Sequence, residues 1–248
     1  MAVLSMTDVE ILAGPYRLTG RSNTVDLELE AVARDCTNFD SGGWNEFIGG
    51  IKSAAVSVDG FYDASPLETG ALTLDEQLFS ELGGAVAPVT IAPTKADGSV
   101  AYVTGFTRGQ LALFGSVGDV APFQSDMWGQ GEVGRGYLIH PANTTETAGG
   151  TGTGQQVGAA SASQSVVIGI HVTAISGTTP SLDITVESDD NAGFASAATV
   201  LNTGAITTTT SSLTVVSGPV TDDYYRITWT LSGTSPVARF SVAVGITP

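Results

Sequence analysis

Apolar and polar residues alternate along much of the chain, which is the pattern of half-buried β-strands. The first clear case lies at 25–31, where the apolar residues Val25, Leu27, Leu29 and Ala31 alternate with the acidic residues Asp26, Glu28 and Glu30. A second strand is predicted at 54–60, where Val56 and Val58 alternate with Ser57 and Asp59. The first pattern predicts one face in the core and a row of carboxylates on the other.

The segment between these two strands is rich in Asn, Ser and Gly but also carries aromatic side chains. It is too long for a hairpin turn and too aromatic for a simple linker, so it is predicted to pack against another surface. Aromatic residues on such a loop are suited either to stacking on sugars or to anchoring a neighbouring subunit. We favour the subunit contact, with Trp44, Phe47 and Ile48 as the candidate residues.

One helix is predicted near residue 74. Thr73 and Glu76 have the spacing of a capping box, and Gly83 is a stop signal. The residues predicted to share its apolar face are Leu74, Leu78, Phe79 and Leu82.

The remaining apolar runs predict further strands, and one segment predicts a domain boundary. Runs before the boundary lie at 86–91, 100–106, 110–117 and 137–140, and alternating runs after it lie at 166–172, 182–186, 225–231 and 240–246. Residues 143–165 are almost entirely small or polar, as in a linker or long loop. The chain is therefore predicted to be mainly β, with a first domain at 1–142 and a C-terminal β-sandwich at 166–248.

The charge is strongly negative. The 248 residues include 25 Asp and Glu against 9 Lys and Arg, a formal net charge of -16, and 19 of the acidic residues lie at or before Glu146. A stable complex with nucleic acid needs basic side chains to neutralise phosphates, so this function class is excluded. The acidic character belongs mainly to the first domain.

Candidate chemistry is sparse. A single cysteine excludes an intrachain disulfide and a cysteine-based zinc site, and His171 is predicted to be solvated on a strand face. The usual nucleotide-binding and hydrolase motifs are absent, and no carboxylate pair is marked for glycoside hydrolysis. The pairs Asp189–Asp190 and Asp222–Asp223 suit turns better than a calcium site. We predict no enzyme activity, no cofactor and no metal.

An ordered set of motifs over about residues 20–140 resembles the tail tube (major tail) proteins of long-tailed bacteriophages. The set comprises the acidic strand at 25–32, the segment Trp44–Lys52 leading into the strand 54–60 and Phe61–Asp63, the helix at 74–82, Gly115–Phe123, and Gly131–Gly136. The segments Ser188–Phe194 and Asp223–Arg226 are similar to C-terminal β-sandwich segments of phage virion proteins. The family's shorter members lack such a C-terminal unit. The resemblance therefore implies that the unit is either an outward decoration or a second tube-like domain in a ring with fewer subunits.

The resemblance implies a tail-tube-like β-barrel or sandwich with one flanking α-helix, followed by an Ig-like β-sandwich. It implies a structural virion protein, made in the host cytoplasm, that forms hexameric rings stacked into a tube through which DNA passes without binding. Expected partners are other copies, the tape measure protein and the tail terminator, with no membrane. Asp26, Glu28 and Glu30 are then candidates for the lining of the bore, and Trp44, Phe47 and Ile48 for the contact between subunits.

Three alternatives remain at this stage. The chain could be another virion β protein, such as a capsid decoration or tail-tip component. It could be a carbohydrate-binding or adhesion module that uses Trp44, Trp128 or Trp229 as a sugar platform. A glycoside hydrolase is the enzymatic alternative.

Overall fold

A computed structural model describes residues 6–63, 65 and 73–248. Over these residues the chain is mainly β, as predicted, with one short helix. The elements are β1 (Glu10–Ala13), β2 (Tyr16–Arg17), β3 (Ser22–Asp35), β4 (Phe47–Phe61), α1 (Leu74–Ser80), β5 (Ala87–Ala92), β6 (Val100–Leu113), β7 (Pro122–His140), β8 (Gly150–Thr151), β9 (Gln155–Gln156), β10 (Ser165–Asp189), β11 (Ala198–Asn202), β12 (Thr210–Ser217) and β13 (Tyr224–Ile246).

The strands form one antiparallel sheet whose main path runs β11-β10-β13-β7-β6-β5-β1-β2. Strand β7 links its parts because different stretches of it pair with different neighbours. Residues 122–128 pair with β4, and residues 135–140 pair with β13. Strand β3 joins the sheet through β4.

Two large hydrophobic clusters form most of the core. The first is built from residues of β1, β4, β5, β6, β7 and α1, and the second mainly from β10 and β13. A third, smaller cluster, which includes Val103, Leu138 and Val167, is formed by residues of β5, β6, β7, β10 and β13. Residues 165–173 of β10 are buried on both faces because one face meets the second cluster and the other meets β5 and β6.

The helix has the predicted capping box, but only part of its predicted apolar face is buried. Thr73 accepts a hydrogen bond from the Glu76 amide at 3.4 Å, and the Glu76 carboxylate accepts one from the Thr73 amide at 3.0 Å. Leu74 and Leu78 are fully buried, but Phe79 is 70% exposed. The helix ends at Ser80, and Phe79 lies roughly 140° around the axis from Leu74 at 100° per residue.

The segment 143–165 follows the edge of β13. It contributes β8 and β9 to the sheet, and Glu146 and Ala160 bridge to Ala238 and Val220. The domain division drawn through this segment stays a prediction. In the part of the chain that the structure describes, no helix is long and apolar enough to cross a membrane.

Candidate assembly surfaces

A four-stranded part of the sheet carries the predicted acidic residues. Its order is β3-β4-β7-β6, formed by the pairing of β3 with β4, of β4 with residues 122–128 of β7, and of that stretch with β6. Within the described chain β3 has no partner except β4, and residues 109–113 of β6 pair with β7 alone. This four-stranded sheet therefore has two open edges.

One face of this sheet is acidic and solvent-exposed. Asp26, Glu28 and Glu30 are all exposed, and they alternate with the half-buried Val25 and Leu27. Register places Asp26 opposite Ser57, and Ser57 opposite Asp126 on β7. We call the set Asp26, Glu28, Glu30, Asp59 and Asp126 the acidic face.

No ion pair within the described residues involves the acidic face. The Ser57 hydroxyl donates a hydrogen bond of 2.7 Å to the Asp126 carboxylate. Partial burial raises the pKa of Asp59 above its usual value, and the negative charges of Asp126 and Asp26 raise it further. The face thus concentrates negative charge that nothing in the described chain neutralises.

Sequence reasoning missed Asp59 and Asp126 as members of this face. Asp59 had a visible signal, because it alternates with Val56 and Val58. Asp126 sits between Ser125 and Met127 in a stretch where no strand was predicted. Its neighbours on the sheet come from a strand far away in sequence, so only the register of β4 with β7 places it beside Ser57.

Trp128 is an exposed aromatic side chain on the same face as Asp126. Its ring lies over Gly109, where a Cβ would come within 2.4 Å of the ring. Trp229, another sugar-platform candidate, instead packs against His140 and Phe240 and donates a hydrogen bond of 3.0 Å to the Ala148 carbonyl. Trp229 is therefore packed against the second hydrophobic cluster and is not an exposed platform for a sugar.

The far part of the β3–β4 hairpin separates from β7 and forms an arm. Strand β4 meets β7 only from Ala55 onward, so residues 30–53 have no third strand beside them in the described chain. Six residues of β3 past this point correspond to about 20 Å of extended strand. We call residues 30–53 the arm.

The arm exposes apolar side chains on a loop whose backbone is held by hydrogen bonds. Trp44 is 80% exposed, and the other exposed apolar side chains are Phe39, Phe47, Ile48 and Ile51. The Cys36 amide donates to the Glu46 carbonyl at 2.9 Å, and the Glu46 amide donates to the Thr37 hydroxyl at 2.9 Å. The loop backbone is thus held by polar contacts while its apolar side chains face solvent.

The three arm candidates from the sequence, Trp44, Phe47 and Ile48, all lie on this exposed surface. Exposed apolar groups of this kind mark interaction sites more often than free surface. Their role as a subunit contact stays a prediction. The lining role of Asp26, Glu28 and Glu30 also stays a prediction, although all three lie on one exposed face.

The prediction that His171 is solvated is wrong. His171 is completely buried, with Nδ1 2.7 Å from the Gly14 carbonyl and Nε2 2.8 Å from the Thr90 hydroxyl. Because the carbonyl can only accept, Nδ1 carries the proton and Nε2 accepts from Thr90. Burial lowers the pKa of His171 to about 4. The strand face predicted to meet water instead packs against β5 and the β1–β2 turn.

His140 is also buried. Its ring stacks on Phe240 at 4.2 Å between centroids, and Nε2 lies 3.5 Å from Glu146. Burial lowers the pKa of His140, while the Phe240 carbonyl and Glu146 act in the opposite direction. Among the described residues, no three His, Cys, Asp or Glu side chains are grouped so that they could hold a metal ion.

Several solved structures of virion and tail proteins resemble the chain weakly. A chain from the virion of the native gene transfer agent particle is 20% identical, with a TM-score of 0.43, over 53% of this chain and 97% of that chain. A chain from the tail of the empty gene transfer agent particle is 20% identical, with a TM-score of 0.38, over 47% of this chain and 84% of that chain.

The SPP1 Dit protein, from the hub adsorption apparatus of phages that infect Gram-positive bacteria, is 13% identical, with a TM-score of 0.35, over 97% of this chain and 99% of that chain. No protein-family model and no curated protein matches the sequence. At these TM-scores none of the structural likenesses assigns a family or a function to the chain.

Proposed function

We propose that this chain is a structural virion protein without catalytic activity, whose copies form rings that stack into the tube of a phage tail. The observation that carries the proposal is the four-stranded sheet β3-β4-β7-β6, which has two open edges and one acidic face free of ion pairs within the described chain. The motif resemblance over residues 20–140 points to the same function.

Ring closure follows from the open edges. Each neighbouring pair in the four-stranded sheet is antiparallel, so β3 and β6 run in opposite directions. Copies related by rotation can therefore join β3 of one to β6 of the next as an ordinary antiparallel pair. Such a closed barrel removes both open edges of the four-stranded sheet, and open edges otherwise invite uncontrolled aggregation.

Six copies suit a conduit for DNA. Four strands from each of six copies make 24 strands, which at the usual spacing and tilt enclose a barrel roughly 50 Å across. Three copies would give roughly 25 Å, and lining side chains would fill much of that width. A hexameric ring therefore leaves a wide bore, and a trimeric ring leaves a much narrower one.

The acidic face is suited to line that bore. Carboxylates repel the phosphates of DNA over about a Debye length, ~8 Å at physiological salt, so the genome would pass without binding. The opposite face of the same sheet carries Val56, Val58 and Met127, which are buried in the first core cluster. Only the acidic face is therefore free to meet the lumen.

The arm would join successive rings, and the finished protein would be located in the phage tail after synthesis in the host cytoplasm. Burial of Trp44, Phe47 and Ile48 between rings would remove the apolar surface that the single copy exposes. The tape measure protein inside the tube and the terminator at its end are the further partners that this function requires. No membrane contact is part of the proposal.

Negative-stain electron microscopy of the concentrated protein tests the proposal. Rings or hollow tubes with a regular axial repeat are expected, and end views give the copy number. Monomers that bind a glycan saturably, with no particle at any concentration and none after addition of a tail initiator complex, would contradict it. That result would instead favour the carbohydrate-binding alternative.

A further inference from the structure

A polar cleft lies between β1, β2, the start of β3 and the turn after β5. Its volume is about 450 Å³. This volume is within the range of small-molecule sites, roughly 300–1,000 Å³. Five of the side chains that line the cleft carry a hydroxyl or an amide group, namely Thr7, Thr19, Ser22, Asn23 and Thr24.

The two cations that line the cleft, Arg17 and Lys95, are already paired with carboxylates. Arg17 donates two hydrogen bonds to Glu10, from Nε at 2.6 Å and from Nη2 at 3.0 Å. Glu10 is completely buried and also accepts a hydrogen bond of 2.9 Å from the Thr19 hydroxyl. Lys95 forms an ion pair with Asp8, and its hydrogen bond lowers the pKa of that carboxyl. The two positive charges of the cleft are therefore balanced at neutral pH.

These paired groups keep hydrogen-bonding capacity for a ligand. A guanidinium has five N–H donors and an ammonium has three, so Arg17 and Lys95 retain donors beyond those that bond the two carboxylates. The Ser22 hydroxyl donates to the Leu18 carbonyl at 3.1 Å, which leaves its oxygen as an acceptor. The cleft thus offers both donors and acceptors without a net charge.

The charge balance selects the kind of ligand. An anion would gain little from the two cations, because it would also approach the Glu10 and Asp8 carboxylates. An apolar molecule would take the hydroxyl and amide groups out of water without replacing their hydrogen bonds. A neutral molecule with several hydroxyls avoids both costs, and its C–H groups can pack against Val9 and Ile11, which also line the cleft.

We propose that this cleft binds one neutral sugar residue of a glycan. The site does not depend on ring or tube formation, so it is an addition to the proposed function. It also differs from a tryptophan platform, because no aromatic residue of the described chain lines it. The site is preformed, since β1 pairs with both β2 and β5 and the buried Glu10 fixes Arg17.

NMR titrations of the full chain, followed through its amide signals, test the site. The probes are D-glucose, D-galactose, D-mannose, L-rhamnose and N-acetyl-D-glucosamine, with inorganic phosphate as the charged comparison. We expect at least one sugar to shift the signals of residues 7, 19–24 and 95 saturably, and phosphate to leave them unchanged.

Two double variants with matched chemistry separate the cleft from the rest of the surface. Thr7→Val with Thr24→Val should weaken sugar binding at least roughly fivefold, because each hydrogen bond between neutral groups contributes a factor of about 2–10. Thr207→Val with Thr208→Val changes exposed positions in the loop before β12 and should bind like the unchanged protein. Equal affinities of the two double variants would overturn the inference.

Asp8→Asn tests the argument from charge. This change leaves Lys95 without its carboxylate, so phosphate should now shift the same signals while sugar binding is retained. The inference is wrong if phosphate already binds the unchanged protein, if it fails to bind the Asp8→Asn variant, if no sugar shifts any signal, or if the shifts centre on Trp128. Microscopy measures particle formation separately. Tubes without sugar binding therefore contradict only the cleft, and sugar binding at the cleft without particles contradicts only the proposed function.

Discussion

At the residue scale, His171 shows how burial selects a charge state. Both ring nitrogens are used in hydrogen bonds, to Gly14 and to Thr90, and no charged group contributes to its lowered pKa. The ring thereby links the β1–β2 turn and β5 to β10. A neutral histidine in this position stabilises the contact between the two core regions, and a protonated one does not.

This arrangement predicts acid sensitivity. The folded pKa of His171 is about 4 against an ordinary value of 6.5, so between these pH values the unfolded chain binds a proton that the folded chain does not. The free energy of unfolding contributed by this residue should therefore fall by about 3 kcal/mol as the pH decreases from 6.5 to 4. Denaturant unfolding at pH 7 and pH 4.5 measures it.

The control for this prediction is His171→Gln, whose amide donates and accepts without titrating. We expect the variant to lose less stability between the two pH values than the unchanged protein. The carboxylates titrate alike in both proteins, but residue 171 titrates only in the unchanged one. Equal losses in the two proteins would mean that His171 does not set the acid response.

Two neighbouring glycines in the arm give a second prediction at this scale. A Cβ on Gly50 would lie 2.6 Å from the Val32 carbonyl oxygen, at the irregularity where β4 carries one extra residue. A Cβ on Gly49 would meet no heavy atom within 4 Å. Gly50→Ala should therefore distort the arm and speed amide hydrogen exchange at 33–35 and 47–49. Gly49→Ala should leave exchange unchanged, and similar behaviour of the two variants would contradict the close contact.

At the scale of elements, the arm is a two-stranded hairpin that little else supports. A hairpin of two strands is marginally stable alone, so its order depends on loop hydrogen bonds and on burial by a partner. Trp44→Ala with Phe47→Ala should leave the melting temperature within about 1–2 °C, because substitutions of exposed residues change stability little.

The same double variant should fail to form stacked particles in negative stain. Val215→Ala, which removes an exposed apolar side chain on β12, is the control and should assemble normally. Intact tubes from the arm variant would show that these two side chains do not hold rings together.

Strands β10 and β13 cover surfaces of the first core region. Strand β13 pairs with residues 135–140 of β7, and Val167 of β10 packs with Val103 and Leu138. Deletion of residues 151–248 should therefore give an insoluble or uncooperatively unfolding product, measured by expression and thermal melting. A soluble fragment with a sharp melting transition would show that the first region folds alone, as the predicted division at 143–165 requires.

Element boundaries show where the sequence pattern was sufficient. Alternation of apolar and polar residues at 25–31 and 54–60 located β3 and β4, because both strands have one solvent-exposed face and one that packs on the core. It located only the last residues of β7, since the part around Gly129, Gly131 and Gly134 has few apolar side chains to mark a face. The run at 100–106 and the first part of the run at 110–117 form one strand, β6, which ends at Leu113 and has an irregular pairing between Arg108 and Gln110.

At the scale of the whole molecule, the negative charge is unevenly arranged. The acidic face lies on the sheet with open edges, while basic residues such as Arg17, Arg108 and Arg226 are already paired with carboxylates elsewhere. A surface of this kind should not retain DNA. Charge reversal by Glu28→Lys with Glu30→Lys should make assembled particles bind duplex DNA with an affinity that decreases as salt increases.

The control is an equal change in the C-terminal region, Asp190→Lys with Asp223→Lys. Filter binding of labelled duplex to intact particles compares the two variants, with blocked tube ends to separate the bore from the outside. Binding to the control alone, or equal binding to both, would mean that Glu28 and Glu30 do not line the bore.

The sequence by itself determined the mainly β class, the capped helix, the acidic strand face and the aromatic loop. These features depend on local periodicity and on side-chain chemistry, which a short stretch of chain carries in full. Only the tertiary structure shows that Asp126 lies on the same face as Asp26, that His171 is buried, and that the arm does not pair with β7. These depend on contacts between residues far apart in sequence, and strand pairing that brings them together leaves no local pattern.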